Sequence, residues 1–228
     1  MKDVFAITGN VQRFLAGVET LTTAVRGRTG LMLAYGPPGT GKTETGQWYA
    51  QQHDVPYIRC KDITSRRSLL ENIVGELGLA AKFRAEDLFR QAEDELVERN
   101  GIMILDEVDY LTKSGAIEVI RDLNDVTNFP ILLMGMEETL ANVRAYQHLY
   151  DRITAIVRFN LFDNKELTKL AEQVCEVRIS ADGISFIKER SKGRLRLSMQ
   201  WFSKVEGLAR RNGIDEISAA HLQTCKEK

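Results

Sequence analysis

The sequence predicts an α/β fold: a five-stranded parallel sheet covered by helices, followed by a small C-terminal subdomain made of helices alone. Five short apolar runs, Leu31–Tyr35, Tyr57–Cys60, Ile102–Leu105, Ile131–Met134 and Ile156–Phe159, alternate with longer segments of helical character. That alternation implies parallel strands with both faces covered. A glycine-rich loop, Gly36 to Thr43, lies between the first run and a helix. After Phe159 no convincing strand recurs. The expected division is residues 1–160 as an α/β core and 161–228 as the helical subdomain.

Asn10 to Val25 is amphipathic, with Val11, Phe14, Leu15, Val18, Leu21 and Val25 on its apolar side. Leu31–Tyr35 reads as a buried strand entering the loop, and Glu44 to Gln52 as a helix leaving it. Between the later strands, helices are expected over Arg66–Leu77, Ala85–Glu98 and Ala116–Asn124. Thr64 or Ser65 suits the N-cap of the first of these. Ile102-Met103-Ile104-Leu105 has no polar interruption, as a strand buried on both faces requires. Asn164–Val174, Ala181–Arg190, Leu195–Arg211 and Ser218–Cys225 complete the helical part.

At 228 residues the chain accommodates one α/β domain and an appendage. Its 43% hydrophobic and 28% charged content is that of an ordinary soluble protein. No apolar stretch approaches the ~20 residues that span a bilayer, and Met1-Lys2-Asp3-Val4-Phe5 does not resemble a secretion signal. Cys60, Cys175 and Cys225 are scattered without CxxC spacing, which fits buried thiols in a reducing cytoplasm. His53, His148 and His221 are dispersed and suggest no metal centre. A net charge of −1 argues against a uniformly basic nucleic-acid binder. The charge is uneven, however: Glu86 to Asp109 is acid-rich and Lys188 to Arg211 is basic, so a polyanion partner can be served by a local surface.

Gly36-Pro37-Pro38-Gly39-Thr40-Gly41-Lys42-Thr43 satisfies every fixed position of the phosphate-binding loop G-x-x-x-x-G-K-[ST]. Glycines let successive backbone N–H groups turn onto phosphates, and the following helix offers its positive N-terminus to the same anion. Lys42 then reaches the β- and γ-phosphates, and the Thr43 hydroxyl ligates Mg²⁺. The strand ending in Asp106-Glu107 follows Lys42 by 64 residues. One carboxylate, Asp106, serves the metal and the other, Glu107, polarises the attacking water. These residues point to binding and hydrolysis of a nucleoside triphosphate with Mg²⁺.

The order of elements and motifs resembles an AAA+ ATPase, an α/β core with a helical lid, over nearly the whole chain. The resemblance implies ATP as the nucleotide and three further roles. The strand Ile131–Gly135 occupies the sensor-1 place, where Glu137 and Glu138 stand instead of the usual small polar residue. Leu149-Tyr150-Asp151-Arg152-Ile153 resembles a segment ending in an arginine finger, with Arg144 as the alternative to Arg152. Gly193-Arg194-Leu195-Arg196 resembles the sensor-2 entry, where Arg196 is favoured over Arg194 for the γ-phosphate. A finger and a sensor on opposite sides of the nucleotide imply an ATP-joined homo-oligomer.

Within AAA+ proteins the chain looks most like DNA-transposition regulators, the phage Mu B protein and TnsC ATPases. The marks are Ile7-Thr8-Gly9-Asn10, Asp62 to Leu70, Asp106 to Leu111 and the turn Gly135-Met136-Glu137-Glu138. That likeness implies a cytoplasmic protein of a bacterial host cell. It would form a helical filament or ring on double-stranded DNA with little sequence preference, present target DNA to a DDE-type transposase, and disassemble on hydrolysis. The Mu protein's extra N-terminal helix-turn-helix domain has no counterpart here, so DNA contact is expected from the core. Thr64, Ser65, Arg66 and Arg67 suit phosphate contacts, with Lys61 and Lys113 as neighbours by analogy. Trp48, Tyr49, Trp201 and Phe202 read as core residues. A helicase loader or replication initiator, and a nucleotide-gated scaffold with little turnover, remain the alternatives.

Overall fold

The computed structural model describes residues 1–23 and 30–223. Its elements in chain order begin with α1 (Gly9–Thr23), β1 (Leu31–Tyr35), α2 (Lys42–His53), β2 (Tyr57–Arg59), α3 (Arg66–Glu76), α4 (Ala85–Glu98) and β3 (Met103–Asp106). They continue with α5 (Asp109–Ser114), α6 (Ile117–Thr127), β4 (Ile131–Gly135), α7 (Thr139–Arg144), α8 (Gln147–Tyr150) and β5 (Ile153–Arg158). The remainder are α9 (Asn164–Val174), β6 (Arg178–Ile179), α10 (Ala181–Ser191), α11 (Leu195–Asn212), β7 (Glu216–Ile217) and α12 (Ala219–Gln223). Val25 and Cys225, which end two helices of the sequence reading, lie outside the described residues.

The first five strands form the expected parallel sheet, in the order β2-β3-β4-β1-β5. Side chains alternate across it. Leu31, Leu33, Met103, Leu105, Ile131 and Leu133 share one core with Ile73, Leu88 and Ile120 of α3, α4 and α6. Met32, Ala34, Ile104, Leu132 and Met134 share the other with Phe14, Val18 and Leu21 of α1 and Ala50 of α2. Two covered faces explain why these strands read as unbroken apolar runs. Because the strands are parallel, the segments leaving β1, β3 and β4 all emerge on one edge, where ligands of open α/β sheets bind. In register, Tyr35 stands between Gly135 and Arg158, and Asp106 stands beside Arg59.

The chain divides into two compact units. The sheet unit comprises Arg13–Gly36 and Lys42–Phe159; the other comprises Met1–Gln12, Pro37–Gly41 and Asn160–Lys228. The second unit resumes at Asn160, just past β5, and also takes in the first twelve residues and the middle of the glycine-rich loop. Its C-terminal part differs from the expectation of helices alone by one short parallel pairing of β6 with β7, Arg178 with Glu216 and Ile179 with Ile217. Two-residue strands are too short to leave a period-2 pattern. Around them Leu167, Leu170, Ile187, Trp201, Phe202 and Val205 form a core of their own.

Ser65 is the N-cap of α3: its Oγ accepts from Ser68 N at 3.1 Å, and Ser68 Oγ accepts from Ser65 N at 2.8 Å. Thr64 instead accepts from Lys61 N at 2.8 Å. No helix of the described residues is long and apolar enough to cross a membrane. Leu133 is fully buried at the sheet centre. Leu133→Ala should lower the free energy of unfolding by about 2–5 kcal/mol, read from urea titration; an unchanged midpoint would contradict this packing.

Candidate nucleotide-binding site

The glycine-rich loop leaves β1 at Gly36 and enters α2 at Lys42. Gly36 has φ +151°, and a Cβ there would stand 2.3 Å from the Phe159 carbonyl oxygen, so no other residue fits between β1 and the end of β5. Gly39 and Gly41 also have positive φ, +76° and +92°. Those dihedrals turn the backbone as a phosphate cradle needs. Thr40 is buried and its Oγ1 donates to the Pro37 carbonyl at 2.9 Å. Pro38, Gly39 and Thr40 thus form the crest of the loop.

In the sheet unit, Lys42 opens α2 and is almost fully buried. Its Nζ donates to the Gly36 carbonyl at 2.8 Å. Burial lowers its pKa, and Asp106, Asp109 and Glu137 act in the opposite direction. Asp106 is 2% exposed, yet three donors reach it. Thr43 Oγ1 and Tyr57 Oη donate to Oδ2 at 2.8 and 2.7 Å, and Glu107 N donates to Oδ1 at 2.9 Å. Thr43 and Asp106, paired by sequence reasoning as the metal residues, are therefore in direct contact. A hydroxyl and a carboxylate on one side suit Mg²⁺, an octahedral cation that takes its other oxygens from water and substrate phosphates. Among the described residues no group of three or more His, Cys, Asp or Glu side chains gathers elsewhere to hold a metal.

Glu107 has φ +59°, a left-handed conformation uncommon outside glycine and frequent at functional sites. Its Oε1 accepts from Arg59 Nη2 at 2.6 Å, a partner that sequence reasoning missed. Tyr57 was missed as well. Both lie on β2, a short strand whose alternating side chains carry no motif; only its pairing with β3 brings them to the acids. Glu137 accepts from Arg158 Nη2 at 2.7 Å. Asp109 fixes the turn that carries Glu137, accepting from Met136 N at 2.8 Å and from Thr139 Oγ1 at 2.6 Å.

In the other unit, Asn10 is buried and grips the loop: Nδ2 donates to the carbonyls of Thr40 and Asn160 at 3.2 and 2.9 Å, and Oδ1 accepts from Asn160 N at 2.9 Å. Arg194, at the N-cap of α11, has its side chain over Gly39, where an added Cβ would lie 3.4 Å from Arg194 Cβ. Arg196 is exposed on the first turn of α11. Of the two sensor-2 arginines weighed from sequence, Arg194 is the one set against the phosphate loop.

Arg152 is forked onto Asp125 of α6, with Nη2 to Oδ2 at 2.7 Å and Nε to Oδ1, and also donates to the His148 carbonyl. Arg144 lies over the Tyr150 ring, 5.5 Å from its centroid. Arg66 and Arg67 begin α3. Arg67 pairs with Glu71 at 2.9 Å and covers the exposed Phe83 ring at 4.8 Å. Arg66 Nη2 reaches within 3.8 Å of where a Gly115 Cβ would stand, just past α5 and its Lys113. Lys61 is exposed ahead of α3. Tyr49 packs edge-on against Phe14 at 5.7 Å, Trp48 is half-buried, and Trp201 and Phe202 are buried. Burial pushes the thiols of Cys60 and Cys175 up to about 12, which leaves them inert at neutral pH.

Within the sheet unit Lys42, Thr43, Asp106 and Glu107 are brought to one sheet edge, a set of groups suited to a nucleoside triphosphate and its Mg²⁺. A hydrogen bond to a charged group is worth about 1.5–3 kcal/mol. Tyr57→Phe should therefore raise the Mg²⁺ concentration for half-maximal hydrolysis about tenfold without unfolding the protein. A Mg²⁺ titration of ATP turnover tests this, and an unchanged midpoint would take Tyr57 out of the site.

The AAA domain matches this chain over residues 25–143. The replication factor C large subunit of Thermofilum pendens is 25% identical over 227 residues, spanning 95% of this chain and 50% of that protein. The ORC1-type DNA replication protein of Pyrococcus furiosus is 23% identical over 248 residues, spanning 92% of this chain and 58% of that protein. The chain thus spans about half the length of the curated relatives it matches. The solved structure of the Aeropyrum pernix ORC1 protein in complex with DNA aligns with a TM-score of 0.67 at 16% identity, over 96% of this chain and 65% of that one, a likeness of fold. Since the matched stretch takes in more than half of the chain, including the loop, Asp106 and Glu107 in the geometry just given, the protein belongs to the AAA domain family.

Proposed function

We propose that the chain is an ATP-dependent DNA-binding ATPase, which assembles on duplex DNA as a helical filament or ring and presents that DNA to a partner enzyme. In this reading residues 1–160 are the nucleotide-binding core and 161–228 the lid. Lys42 neutralises the β- and γ-phosphates, and Thr43 and Asp106 hold Mg²⁺, which supplies charge stabilisation to the same oxygens. Glu107 accepts a proton from the attacking water as the γ-phosphorus–oxygen bond to ADP breaks and phosphate leaves. Arg152 serves the nucleotide of a neighbouring copy, and Arg194 or Arg196 the chain's own.

The observation that carries the DNA reading is the meeting of Arg66 with the turn at Gly115. It sets the start of α3 beside the end of α5, so that Lys61, Ser65, Arg66 and Lys113 can serve one stretch of phosphate backbone. A surface cavity of about 600 Å³, lined by Arg59, Lys61 and Thr64 and also by Glu71 and Glu76, adjoins this patch. Arg67 contributes less, being engaged by Glu71 and Phe83.

For the partner, likeness to transposition regulators supports a DDE-type transposase. A second reading, a replication loader or initiator, is favoured by relatives that are named a replication factor C large subunit and ORC1-type DNA replication proteins. Stimulation of strand transfer by a transposase supports the first, and retained binding to a helicase without any effect on a transposase supports the second.

Electron microscopy with duplex DNA should show DNA-coating filaments with a non-hydrolysable ATP analogue and none with ADP or without nucleotide; assembly that ignores nucleotide would refute the ATP-dependent reading. Glu107→Gln should prolong the residence of ATP-bound assemblies on DNA, and release as fast as the parent's would disprove hydrolysis-driven disassembly. Arg152→Ala should abolish turnover while isolated subunits still bind nucleotide. Lost binding would place Arg152 in the wrong role.

A further inference from the structure

We propose that Arg158, held by Glu137, is a γ-phosphate contact supplied by the chain's own sheet, a two-residue replacement for the small polar side chain that usually follows the fourth strand. The place in question presents a chemical contradiction. Glu137 follows β4 beside the phosphate-binding lysine, close enough for its charge to act on Lys42. A carboxylate has no proton to donate to a phosphate oxygen and repels it. On its own, Glu137 would weaken the binding of the nucleotide that Lys42 is placed to hold.

Arg158 resolves that contradiction. It ends β5, on the far side of β1 from β4, and its Cα pairs in register with Tyr35, the residue before Gly36. Gly135 pairs with the same Tyr35 from the other side. Gly135 and Arg158 therefore flank the strand that opens the phosphate loop, and Glu137, two residues past Gly135, meets the Arg158 side chain at 2.7 Å. The end of β1 is pinned to this strand end, because Phe159 N donates to the Tyr35 carbonyl at 2.8 Å. The guanidinium has five N–H donors, of which the bond to Glu137 uses one. Glu137 in turn gives that bond one oxygen only, and its Oε2 is buried with no hydrogen-bond partner.

A pair made through one bond keeps Arg158 oriented without saturating it. The remaining N–H groups can turn to a γ-phosphate oxygen, while Glu137 stays as counter-charge and offers Oε2 to a hydrogen of the attacking water or to a second guanidinium N–H. Arg158 is the residue that touches substrate; Glu137 is a positioning residue. The Met136 N and Thr139 Oγ1 bonds to Asp109 hold Glu137's turn in place for this. The inference depends on the nucleotide site and not on DNA, so it can fail while assembly on DNA stands, and the reverse.

The test is nucleotide affinity of the full chain, without DNA, by fluorescence of labelled ADP and a labelled non-hydrolysable ATP analogue in Mg²⁺. A γ-phosphate contact predicts that Arg158→Ala weakens the ATP analogue about tenfold while ADP changes less than about twofold. Arg158→Lys should lose discrimination nearly as fully, because one ammonium cannot both keep Glu137 and bridge to phosphate. Glu137→Gln should fall between the parent and Arg158→Ala. Equal weakening of both nucleotides, or of neither, would overturn the proposal and leave an ordinary surface ion pair. Thermal melts accompany each variant, and if Arg158→Ala does not fold, Arg158→Lys decides the question by the same two-nucleotide comparison.

Discussion

The whole site depends on keeping one charged carboxylate out of water. Asp106 is 2% exposed, and a buried anion is tolerated only when donors replace its hydration. Here they come from α2 (Thr43), from β2 (Tyr57) and from the next backbone amide (Glu107). Each donor constrains the fold. Tyr57 reaches Asp106 only if β2 pairs with β3, and Thr43 reaches it only if α2 starts close above the sheet. That closeness has its own requirement: a Cβ on Gly46 would lie 2.7 Å from Met134 Cε and 3.3 Å from Tyr57 Cε2. The absent side chain in α2 lets the helix settle onto the strand residues that orient the metal carboxylate.

The same constraint accounts for the strain beside it. Donating its amide to Asp106 puts Glu107 in the left-handed region, at φ +59°. A non-glycine residue there costs of order 1–3 kcal/mol, and the chain accepts that cost where the second carboxylate must point away from the first. Arg59 then takes the Glu107 side chain at 2.6 Å. Backbone strain and a neighbouring guanidinium together give two adjacent acids different surroundings.

Sequence alone made the sheet legible because β1, β3 and β4 are buried on both faces and leave no polar residue to blur the pattern. The loop was legible because its chemistry fixes residue types at fixed spacing, and Thr43 and Asp106, taken together from the sequence, are hydrogen-bonded across 63 positions. What stayed hidden has a common cause. Tyr57, Arg59, Asn10 and Arg158 act through strand register or through contacts between distant segments, and nothing local marks them. The pairing of β6 with β7 rests on two residues per strand, below the length at which periodicity exists. The short helices α5, α7 and α8, of four to six residues, escape for the same reason. The resemblance favoured Arg196 for the sensor-2 role, and the backbone entering α11 brings Arg194 to Gly39, a proximity that nothing local in the sequence marks.

The proposed phosphate site carries Asp106, Glu107, Asp109 and Glu137, acids that outnumber Lys42 and repel an anionic substrate. The structure answers by giving three of these acids a local partner. Glu107 has Arg59, Glu137 has Arg158, and Asp109 has a hydroxyl and a backbone amide. Interactions between charges fall off with distance and with intervening water, so a neutralised pair contributes far less to the field at the phosphates than a lone carboxylate would. The ion pairs on β2 and β5 are therefore part of the binding site's electrostatics even where they touch neither nucleotide nor metal, and they explain how a chain of net charge −1 can present a phosphate-binding edge at all.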